Sequence, residues 1–423
     1  MIRRILPLLA VLALTPPLFA ENWPQWRGPK NDGHSSETDL PSKWSETENV
    51  VWKCPMPGPG ASTPCVWGDK LFFTAVVDKD LVLVCVGTDG KEKWQKVMGS
   101  GNKAARGDEG NLASASCSTD GERVYAFVGT GQLAAYDFDG NQKWVVDTAK
   151  EYGAFRIQFG AHWTPVLHKG KLYACLMHRD LQQITCFDAK TGKEEWKADR
   201  KSDGKGESPD VYASPFVWEK GDKAALVVHG NDYCTGHSLK DGSELWRVTD
   251  LNPKQPRYNM AWRAVSSPLV TPDLIVVPSC KNGVTVGIDP TAAKGEIAPG
   301  DAKAGELWRI PKDTPDVPCP ILVDGTLFVW KENTKLLAYE AKTGKKTGEL
   351  DLTTERHRAS PVYADGKLIV VGRDGTMATV KPKAEPELIE KMKLPDTFTA
   401  SPAVSGGRIY LRGWKHLWAI GTK

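Results

Sequence analysis

Short apolar runs, often alternating with polar residues, recur along the whole chain. This pattern predicts β-strands that are half or fully buried, as in STPCVWGDKLFF (62–73) and WTPVLHKGKLYA (163–174). Asp-Gly, Lys-Gly, Gly-Gly and Thr-Gly pairs separate the runs, and such pairs favour tight hairpin turns. Helical periodicity is nearly absent, and PELIEKMKL (386–394), which resembles a helix locally, stands where the pattern predicts an outer strand. The sequence therefore predicts an all-β fold.

Two markers repeat along these strands. The first is a tight turn followed by tryptophan, as in CFDAKTGKEEW (186–196) and, more loosely, YDFDGNQKW (136–144). The second is a small residue, usually a hydroxyl, followed by proline and a new strand. It occurs eight times, roughly forty to fifty-five residues apart, with the proline position held by Pro64, Cys117, Pro165, Pro215, Pro268, Pro320, Pro361 and Pro402.

The interval between markers holds four strands joined by turn, loop and turn, which is the content of one propeller blade. The last marker is followed by only three strands, whereas ENVVWKC (48–54) resembles an outer strand with no blade before it. We therefore predict an eight-bladed β-propeller of four-stranded antiparallel blades, closed by the N-terminal strand. The predicted divisions are a signal peptide (1–20), an N-terminal arm packing on the propeller (21–43) and the propeller itself (44–423).

The repeated tryptophan is predicted to dock each blade against the next, because a large flat side chain just past a turn can wedge between sheets. Two blades near the C-terminus lack it, and Leu350 and Ile389 are predicted in its place. The docking residues are Trp52, Trp94, Trp144, Trp196, Trp246 and Trp308.

At this point the chain resembles a known family, the pyrroloquinoline-quinone (PQQ)-type repeat propellers. The resemblance rests on the motif D-x-x-T-G-K-x-x-W, present here from Asp188 to Trp196, and on its weaker copies. The family includes quinoprotein alcohol dehydrogenases and the non-catalytic propeller of the outer-membrane β-barrel assembly machinery. NWPQWRGP (22–29) looks like the opening of a subgroup of exported propellers. The resemblance implies the fold; it does not imply an activity, because the repeated residues are structural.

The N-terminus resembles an export signal, since Arg3 and Arg4 precede a short, proline-broken apolar run that ends near Ala20. We expect a soluble monomer in the periplasm or outside the cell, without a transmembrane segment. With 55 basic and 52 acidic residues, the net charge of +3 gives no argument for nucleic acid. The nine cysteines include no CxxC; Cys175 and Cys186 could pair, or all could be buried apolar residues.

Function is predicted on one face. The loops between blades, and those between the second and third strands of a blade, are long and varied, whereas the other face carries tight glycine turns and the insertion 291–305, predicted as a mobile decoration. The binding candidates on this varied face are Arg156, His162, Trp163, His178, Arg179, His229, Asp232, Tyr258, Trp262, Arg263, Lys331, His357, Arg358, Arg373, Arg412 and Trp414.

One strand position is predicted to point into the central channel near the varied face. His162 and Arg358 hold it in opposite blades, where they could grip a carboxylate or phosphate. This position lies three residues before the proline slot and is held by Ala61, Ser114, His162, Tyr212, Val265, Val317, Arg358 and Thr399.

The predicted function is an exported, non-catalytic binding or scaffold module that holds a protein, peptide or glycan on the varied face, with no catalytic residues, cofactor or metal. The alternative is a quinoprotein dehydrogenase using PQQ and calcium. By resemblance such an enzyme needs a tryptophan platform, arginines, a calcium site and an aspartate base. Acidic candidates such as Asp232, Asp374 and Glu332 exist, but the adjacent cysteine pair common in those enzymes is missing.

Overall fold

The computed structural model describes residues 21–103, 110–255, 257–331, 334–352 and 356–422. Within these residues the chain forms eight antiparallel sheets and a single short helix, α1 (Thr148–Tyr152). The prediction of an all-β, eight-bladed propeller is confirmed. The predicted signal peptide, residues 1–20, and Glu332 lie outside the described residues. No helix in the described part of the chain is long and apolar enough to cross a bilayer.

The blades follow one another in sequence, numbered from the first complete sheet. Blade one comprises β2 (Cys65–Trp67), β3 (Lys70–Val77), β4 (Asp80–Gly87) and β5 (Glu92–Ser100), and blade two comprises β6 (Ser118–Thr119), β7 (Arg123–Phe127), β8 (Gln132–Asp137) and β9 (Gln142–Asp147). Blade three comprises β10 (Val166–His168), β11 (Lys171–His178), β12 (Leu181–Asp188) and β13 (Glu194–Asp199), and blade four comprises β14 (Phe216–Lys220), β15 (Lys223–Gly230), β16 (Tyr233–His237) and β17 (Glu244–Val248).

Blades five to seven follow the same order, and blade eight is completed by the first strand of the chain. Blade five comprises β18 (Leu269–Val270), β19 (Ile275–Pro278), β20 (Thr285–Ile288) and β22 (Glu306–Ile310), and blade six comprises β23 (Ile321–Val323), β24 (Thr326–Trp330), β25 (Lys335–Glu340) and β26 (Lys346–Asp351). Blade seven comprises β27 (Val362–Ala364), β28 (Lys367–Val371), β29 (Thr376–Lys381) and β30 (Glu387–Lys393), and blade eight comprises β31 (Ala403–Ser405), β32 (Arg408–Arg412) and β33 (His416–Ile420) with β1 (Val50–Pro55).

The ring closes as predicted. β1 pairs antiparallel with β33, with Lys53 opposite Trp418 and Cys54 opposite Leu417, so the two ends of the chain share blade eight. The segment that locally resembles a helix forms β30, the outer strand of blade seven, as predicted. Closure removes two exposed sheet edges that could otherwise pair with other chains.

The docking tryptophans reach from one blade to the next. The Trp196 indole donates a hydrogen bond to the Leu239 carbonyl in the following blade (3.1 Å) and lies against Gly242, where a Cβ would come within 2.6 Å of the ring. The same indole-to-carbonyl bond recurs at four other boundaries: Trp52 to Thr88 (2.7 Å), Trp94 to Phe138 (2.9 Å), Trp144 to Ala189 (2.9 Å) and Trp308 to Ala341 (2.8 Å).

Three details of the docking pattern differ from the sequence-based expectation. Trp246 is not among the five tryptophans with this indole-to-carbonyl bond; it packs over Gly236 of its own blade, as Trp308 does over Gly287. The insertion at 291–305 is not a loose decoration, because it contributes β21 (Gly295–Ile297), a fifth strand that pairs with β17 and buries Ile297. In blades six and seven, strand register puts Gly348 and Glu390 at the tryptophan position, so the expectation of Leu350 and Ile389 there is wrong.

The hydroxyl of the second marker links neighbouring blades around the channel. Each side-chain oxygen accepts a hydrogen bond from the backbone N–H of the equivalent residue in the preceding blade, which forms a belt. The bonds run from Thr63 to Ser116 (2.9 Å), Ser116 to Thr164 (3.0 Å), Thr164 to Ser214 (2.9 Å), Ser214 to Ser267 (2.9 Å), Cys319 to Ser360 (2.9 Å), Ser360 to Ser401 (2.9 Å) and Ser401 to Thr63 (3.1 Å). Cys319 holds the eighth position, where a thiol is a weaker acceptor than a hydroxyl.

Replacing a belt hydroxyl should cost stability. Ser360→Ala removes the acceptor of the buried Cys319 N–H, so we expect a loss of about 1–3 kcal/mol in the free energy of unfolding. Ser243→Ala, which removes an exposed turn hydroxyl, is the control and should change it by less than about 0.5 kcal/mol. Urea denaturation measures both, and equal losses would show that the belt does not hold the blades together.

The cysteines are all free thiols, and all nine lie within the described residues. In the β11–β12 ladder Cys175 stands opposite Ile184 and Cys186 opposite Tyr173, so the two cysteines do not pair. Most are fully buried, where a thiol behaves as a small apolar side chain.

Candidate functional site

The segment that precedes β1 crosses the tight-turn face of the propeller. Asn22 accepts a hydrogen bond from the Gly68 amide (2.8 Å), and Asp365 accepts one from Leu40 (3.0 Å). Both partners lie in turns between the first and second strands of a blade. Further backbone contacts join Trp23 to β2 and His34 to β27. The segment thus ties together blades that are far apart in the sequence.

The middle of this segment closes the channel. Trp26 packs against Phe216 (ring centroids 6.2 Å apart) and lines the channel. Beside it the buried Arg27 donates to the Pro361 carbonyl (2.8 Å) and fixes the bend in the segment. The channel is therefore a cavity with a floor at Trp26 and an opening toward the varied face.

The cavity has a volume of about 180 Å³. The eight residues three positions before the proline slots, from Ala61 in blade one to Thr399 in blade eight, all line it. Below them lie hydroxyls of the belt, including Ser214 and Ser267. The constant spacing in the sequence thus puts one chosen side chain from every blade into a single cavity.

The cavity walls differ around the ring. Blades three and four supply an aromatic wall, in which Tyr212 lies 6.1 Å from Phe159 and 6.0 Å from His162, measured between ring centroids. Blades one, two and eight supply small or hydroxyl residues such as Ala61 and Thr399.

Blades five to seven supply a charged wall. Arg358 and Asp316 approach to 3.5 Å between Nη1 and Oδ2. Arg263 forms an ion pair with Glu207, and its guanidinium lies 4.9 Å above the Phe159 ring, which orients it by a cation–π contact. Two guanidinium groups thus line the cavity beside one described carboxylate, that of Asp316.

The structure changes the expectation that His162 and Arg358 hold an anion between them. Burial lowers the pKa of His162 to about 4, so its imidazole is neutral at pH 7. His162 and Arg358 both line the cavity, but they do not form a pair of opposed cations. Positive charge comes from Arg358 together with Arg263, two blades away.

Three polar atoms at the cavity have no hydrogen-bond partner among the described residues. They are Tyr212 Oη, His162 Nε2 and Arg263 Nε, from three consecutive blades. Tyr212 is only 6% exposed, so water reaches its hydroxyl poorly. Buried polar groups are normally satisfied, so this cluster is an unusual feature of the wall.

Two candidates lie in a shallow depression beside the cavity, next to Phe155 and Ile157. Arg179 donates two hydrogen bonds to the buried Asp210, 2.9 and 3.1 Å long, and is held in place. Arg156 is largely exposed and forms a surface ion pair with Asp180 at 3.0 Å. Exposed pairs of this kind contribute little to stability, so Arg156 can exchange its partner.

Asp232 joins loops rather than facing a ligand. Its carboxylate accepts hydrogen bonds from Tyr258, Ser208 and Asn252, which fixes the loop after blade four. Trp262 lines a small cleft beside it.

Five of the predicted binding residues are buried within blades, with at most 2% of their surface exposed, and do not present themselves to a surface partner. Trp163 stacks on Phe127 (centroids 4.2 Å apart), and His357 stacks on Trp330 (3.6 Å). Arg412 donates to the Ser62 carbonyl (2.9 Å) within the wall of the ring. The five are Trp163, His178, His229, His357 and Arg412.

The three remaining candidates are only partly available. Lys331 forms an ion pair with Asp313. Trp414 donates to the Thr399 hydroxyl (3.1 Å) and so supports the cavity rim. Arg373 is half-buried, and its backbone bonds to residues Arg356 and Phe398.

The sequence reasoning did not assign three residues of the cavity. Trp26 was expected only to pack on the propeller, and neither Phe159 nor Asp316 was selected. The double tryptophan of NWPQWRGP was the available signal for Trp26, but its path across the face depends on contacts more than 300 residues away, such as that between Arg27 and Pro361.

The donor set of the cavity does not fit a calcium–quinone pair. Ca²⁺ takes six to eight oxygen ligands, usually with several carboxylates. Asp316 is the single carboxylate among the described lining residues, and the described part of the chain contains no group of three or more His, Cys, Asp or Glu side chains placed to hold a metal ion. An engineered cavity of about 150 Å³ accommodates benzene, so about 180 Å³ has little room for three fused rings.

Comparison with known proteins identifies the family to which the chain belongs. The profile of a family described as "Outer membrane protein assembly factor BamB" matches residues 36–175, 139–294 and 293–385. Because the matches span most of the chain, the protein belongs to this family of PQQ-repeat propellers. No curated protein matches the sequence significantly.

Solved structures give the same fold at low sequence identity. BamB from Moraxella catarrhalis is 13% identical with a TM-score of 0.62, covering 88% of this chain and 97% of its own. The quinohemoprotein alcohol dehydrogenase from Comamonas testosteroni is 12% identical with a TM-score of 0.69, covering 95% and 81%. A europium-containing methanol dehydrogenase is 11% identical with a TM-score of 0.68, covering 94% and 90%. Identities this low establish the shared fold alone.

Proposed function

We propose that the protein is an exported, non-catalytic binding module that holds a segment of a partner protein on its varied face. The observation that carries the proposal is the axial cavity, closed by Trp26 and open toward the varied loops. Ligand sites are typically concave, mostly apolar and provided with a few convergent polar groups. The cavity has this composition, because its aromatic wall contains Tyr212 and Phe159 and its charged wall contains Arg358.

Binding without catalysis is supported by the state of the polar groups. His162, with its pKa lowered to about 4, has little basicity for a general base near neutral pH. Asp316 is held by Arg358, and the other cavity arginine is held by Glu207. These groups are oriented for recognition, and the module needs no quinone or metal.

A protein partner and an exported location rest on the family. Its description names an assembly factor, and the N-terminal sequence resembles an export signal. The 150–161 loop adds half-buried Phe155 and Ile157 beside the exposed Arg156, a composition suited to a protein interface. We propose that the module acts as a monomer.

Removing the positive charge at the cavity should weaken partner binding. Arg358→Gln retains a donor toward Asp316 but loses the charge, and the loss of a charged hydrogen bond should lower affinity about ten- to a hundredfold. Affinity is measured against the partner isolated by crosslinking in the exported compartment.

The matched control is Lys193→Ala, in an exposed tight turn on the other face, which should leave the affinity unchanged. If Lys193→Ala weakens binding as much as Arg358→Gln while both variants keep the wild-type melting temperature, the proposal is wrong.

A further inference from the structure

We infer that the axial cavity takes a carboxylate joined to a single apolar ring, such as the C-terminal carboxylate of a chain that ends in phenylalanine. This inference rests on the proposed binding function and specifies the ligand. It follows from the size of the cavity, the charge of one wall and the unpartnered atoms of another.

The size of the cavity limits the ligand. About 180 Å³ is only slightly more than the engineered cavity of about 150 Å³ that accommodates benzene. One ring with a short polar group therefore fills the space between Trp26 and the cavity mouth. The remainder of a longer ligand must leave through the varied face, because the opposite end is closed by Trp26.

Guanidinium groups at the cavity provide donors for an anion, although each is already paired with a carboxylate, Arg358 with Asp316 and Arg263 with Glu207. Arg263 and Arg358 line the cavity, whereas Asp316 is its single described carboxylate. Planar guanidinium groups match the geometry of a carboxylate better than other cations do. The Arg263 guanidinium is already fixed by Glu207 and by the Phe159 ring, so little side-chain entropy is lost when the ligand binds.

The unpartnered atoms indicate where the anion is placed. Tyr212 Oη and Arg263 Nε are buried donors in adjacent blades that donate to no acceptor among the described residues. A carboxylate has two oxygens and about four acceptor sites, so it can satisfy both donors at once. The apolar ring then lies toward Phe159 and Trp26, which supply aromatic surface in the same cavity.

The test is calorimetric titration of the full-length mature protein with three probes. They are the peptide Gly-Gly-Ala-Phe with a free C-terminus, the same peptide as its C-terminal amide, and phenylacetate. We expect the free acid to bind at least tenfold more tightly than the amide. Phenylacetate distinguishes the source: affinity equal to that of the peptide acid indicates a free acid, and weaker affinity indicates a chain terminus. Equal affinity of the peptide acid and the amide would overturn the inference.

Tyr212→Phe tests the position of the carboxylate without disturbing the fold. The removed hydroxyl donates to no acceptor among the described residues, so the melting temperature should change little while affinity for the free acid falls about three- to tenfold. Tyr125→Phe removes a hydroxyl that donates to Asp120 on the tight-turn side, and affinity should be unchanged. Unchanged affinity in Tyr212→Phe would contradict the assigned position.

The experiments distinguish failure of the carboxylate inference from failure of the proposed binding function. If the native partner crosslinks to the varied face but the peptide acid and amide bind equally, the carboxylate inference fails and the binding function stands. If the partner crosslinks to the tight-turn face, both fail.

Discussion

Lowering the pH from about 6.5 to 5 should reduce the free energy of unfolding by several kcal/mol. Burial lowers the pKa of four histidines far below the ordinary value of about 6.5. The pKa is lowered to about 4 for His162, His229 and His237, and to about 3 for His357. All four are inside the ring or at its cavity, where a charged imidazole would lose hydration.

The sign follows from proton binding. Above about pH 7.5 these histidines are neutral in both the folded and the unfolded chain, so they add no pH dependence. Between pH 6.5 and 4 the unfolded chain binds protons that the folded chain does not, so stability falls as pH falls. Each histidine contributes up to about 1.4 kcal/mol per pH unit in this window.

Urea unfolding at a series of pH values measures the effect, with the range above about pH 7.5 as the flat reference. His229→Leu provides the matched variant, because both ring nitrogens of His229 lack partners among the described residues. The variant should lose stability less steeply below pH 6.5 than the wild type. A wild-type stability that is constant down to pH 5 would show that these histidines are not buried as neutral groups.

Removing a docking tryptophan should have the second large effect. Trp196→Ala removes the indole that bonds to Leu239 and covers Gly242 in the next blade. The side chain is half-buried, so we expect a loss of about 2–4 kcal/mol, toward the lower part of the range for buried aromatic residues. Trp414→Ala, on a loop of the varied face, should cost less, because its indole donates to Thr399 of its own blade and not to the next blade.

Glycine substitutions test the same contact from the other blade. Gly242→Ala and Gly325→Ala both place a Cβ at positive φ, +74° and +79°, so they share the backbone strain. Only Gly242→Ala meets the tryptophan ring, at 2.6 Å, whereas the Gly325 site is open within 4 Å. Gly242→Ala should therefore be the more destabilising of the two in urea, and equal losses would remove the docking role from Trp196.

The fold could be predicted because its determinants are local and repeated. The turn from Asp188 to Gly192 is closed by hydrogen bonds within five residues: Thr191 donates from its N–H and hydroxyl to Asp188, and Gly192 takes positive φ. The second marker recurs roughly every forty to fifty-five residues because each blade contributes one residue to the belt, a hydroxyl in seven blades and Cys319 in the eighth. Strand order and ring closure follow from counting these units.

The site could be predicted only in part, because its missing pieces are long-range. Constant spacing indicated the position of Tyr212 and Arg358 at the channel. The course of the segment that carries Trp26 follows from contacts with distant blades, such as Glu37 with Gly406 and Gly407, which have no period in the sequence. Trp163 and His357 proved to be buried, and residue type alone does not show whether a side chain on a loop is buried or exposed.

In blade six, the sequence pattern predicted the apolar residue Leu350 at the position of the docking tryptophan. The structure uses Gly348 instead, because Ala384 and Pro386 approach the strand so closely that a Cβ would lie 2.6 Å from the Ala384 carbonyl oxygen. A close backbone approach of this kind selects the smallest residue, whereas the pattern suggested a larger one.

Site-specific photocrosslinking in intact cells tests the central claim most directly. A photoreactive residue replaces Gln158 or Trp414 on the varied face, or Lys193 or Lys342 in exposed tight turns on the other face. Binding at the axial cavity predicts that a partner is captured from Gln158 and Trp414 and not from the two lysine positions. Capture from Lys193 and Lys342 alone would contradict the account.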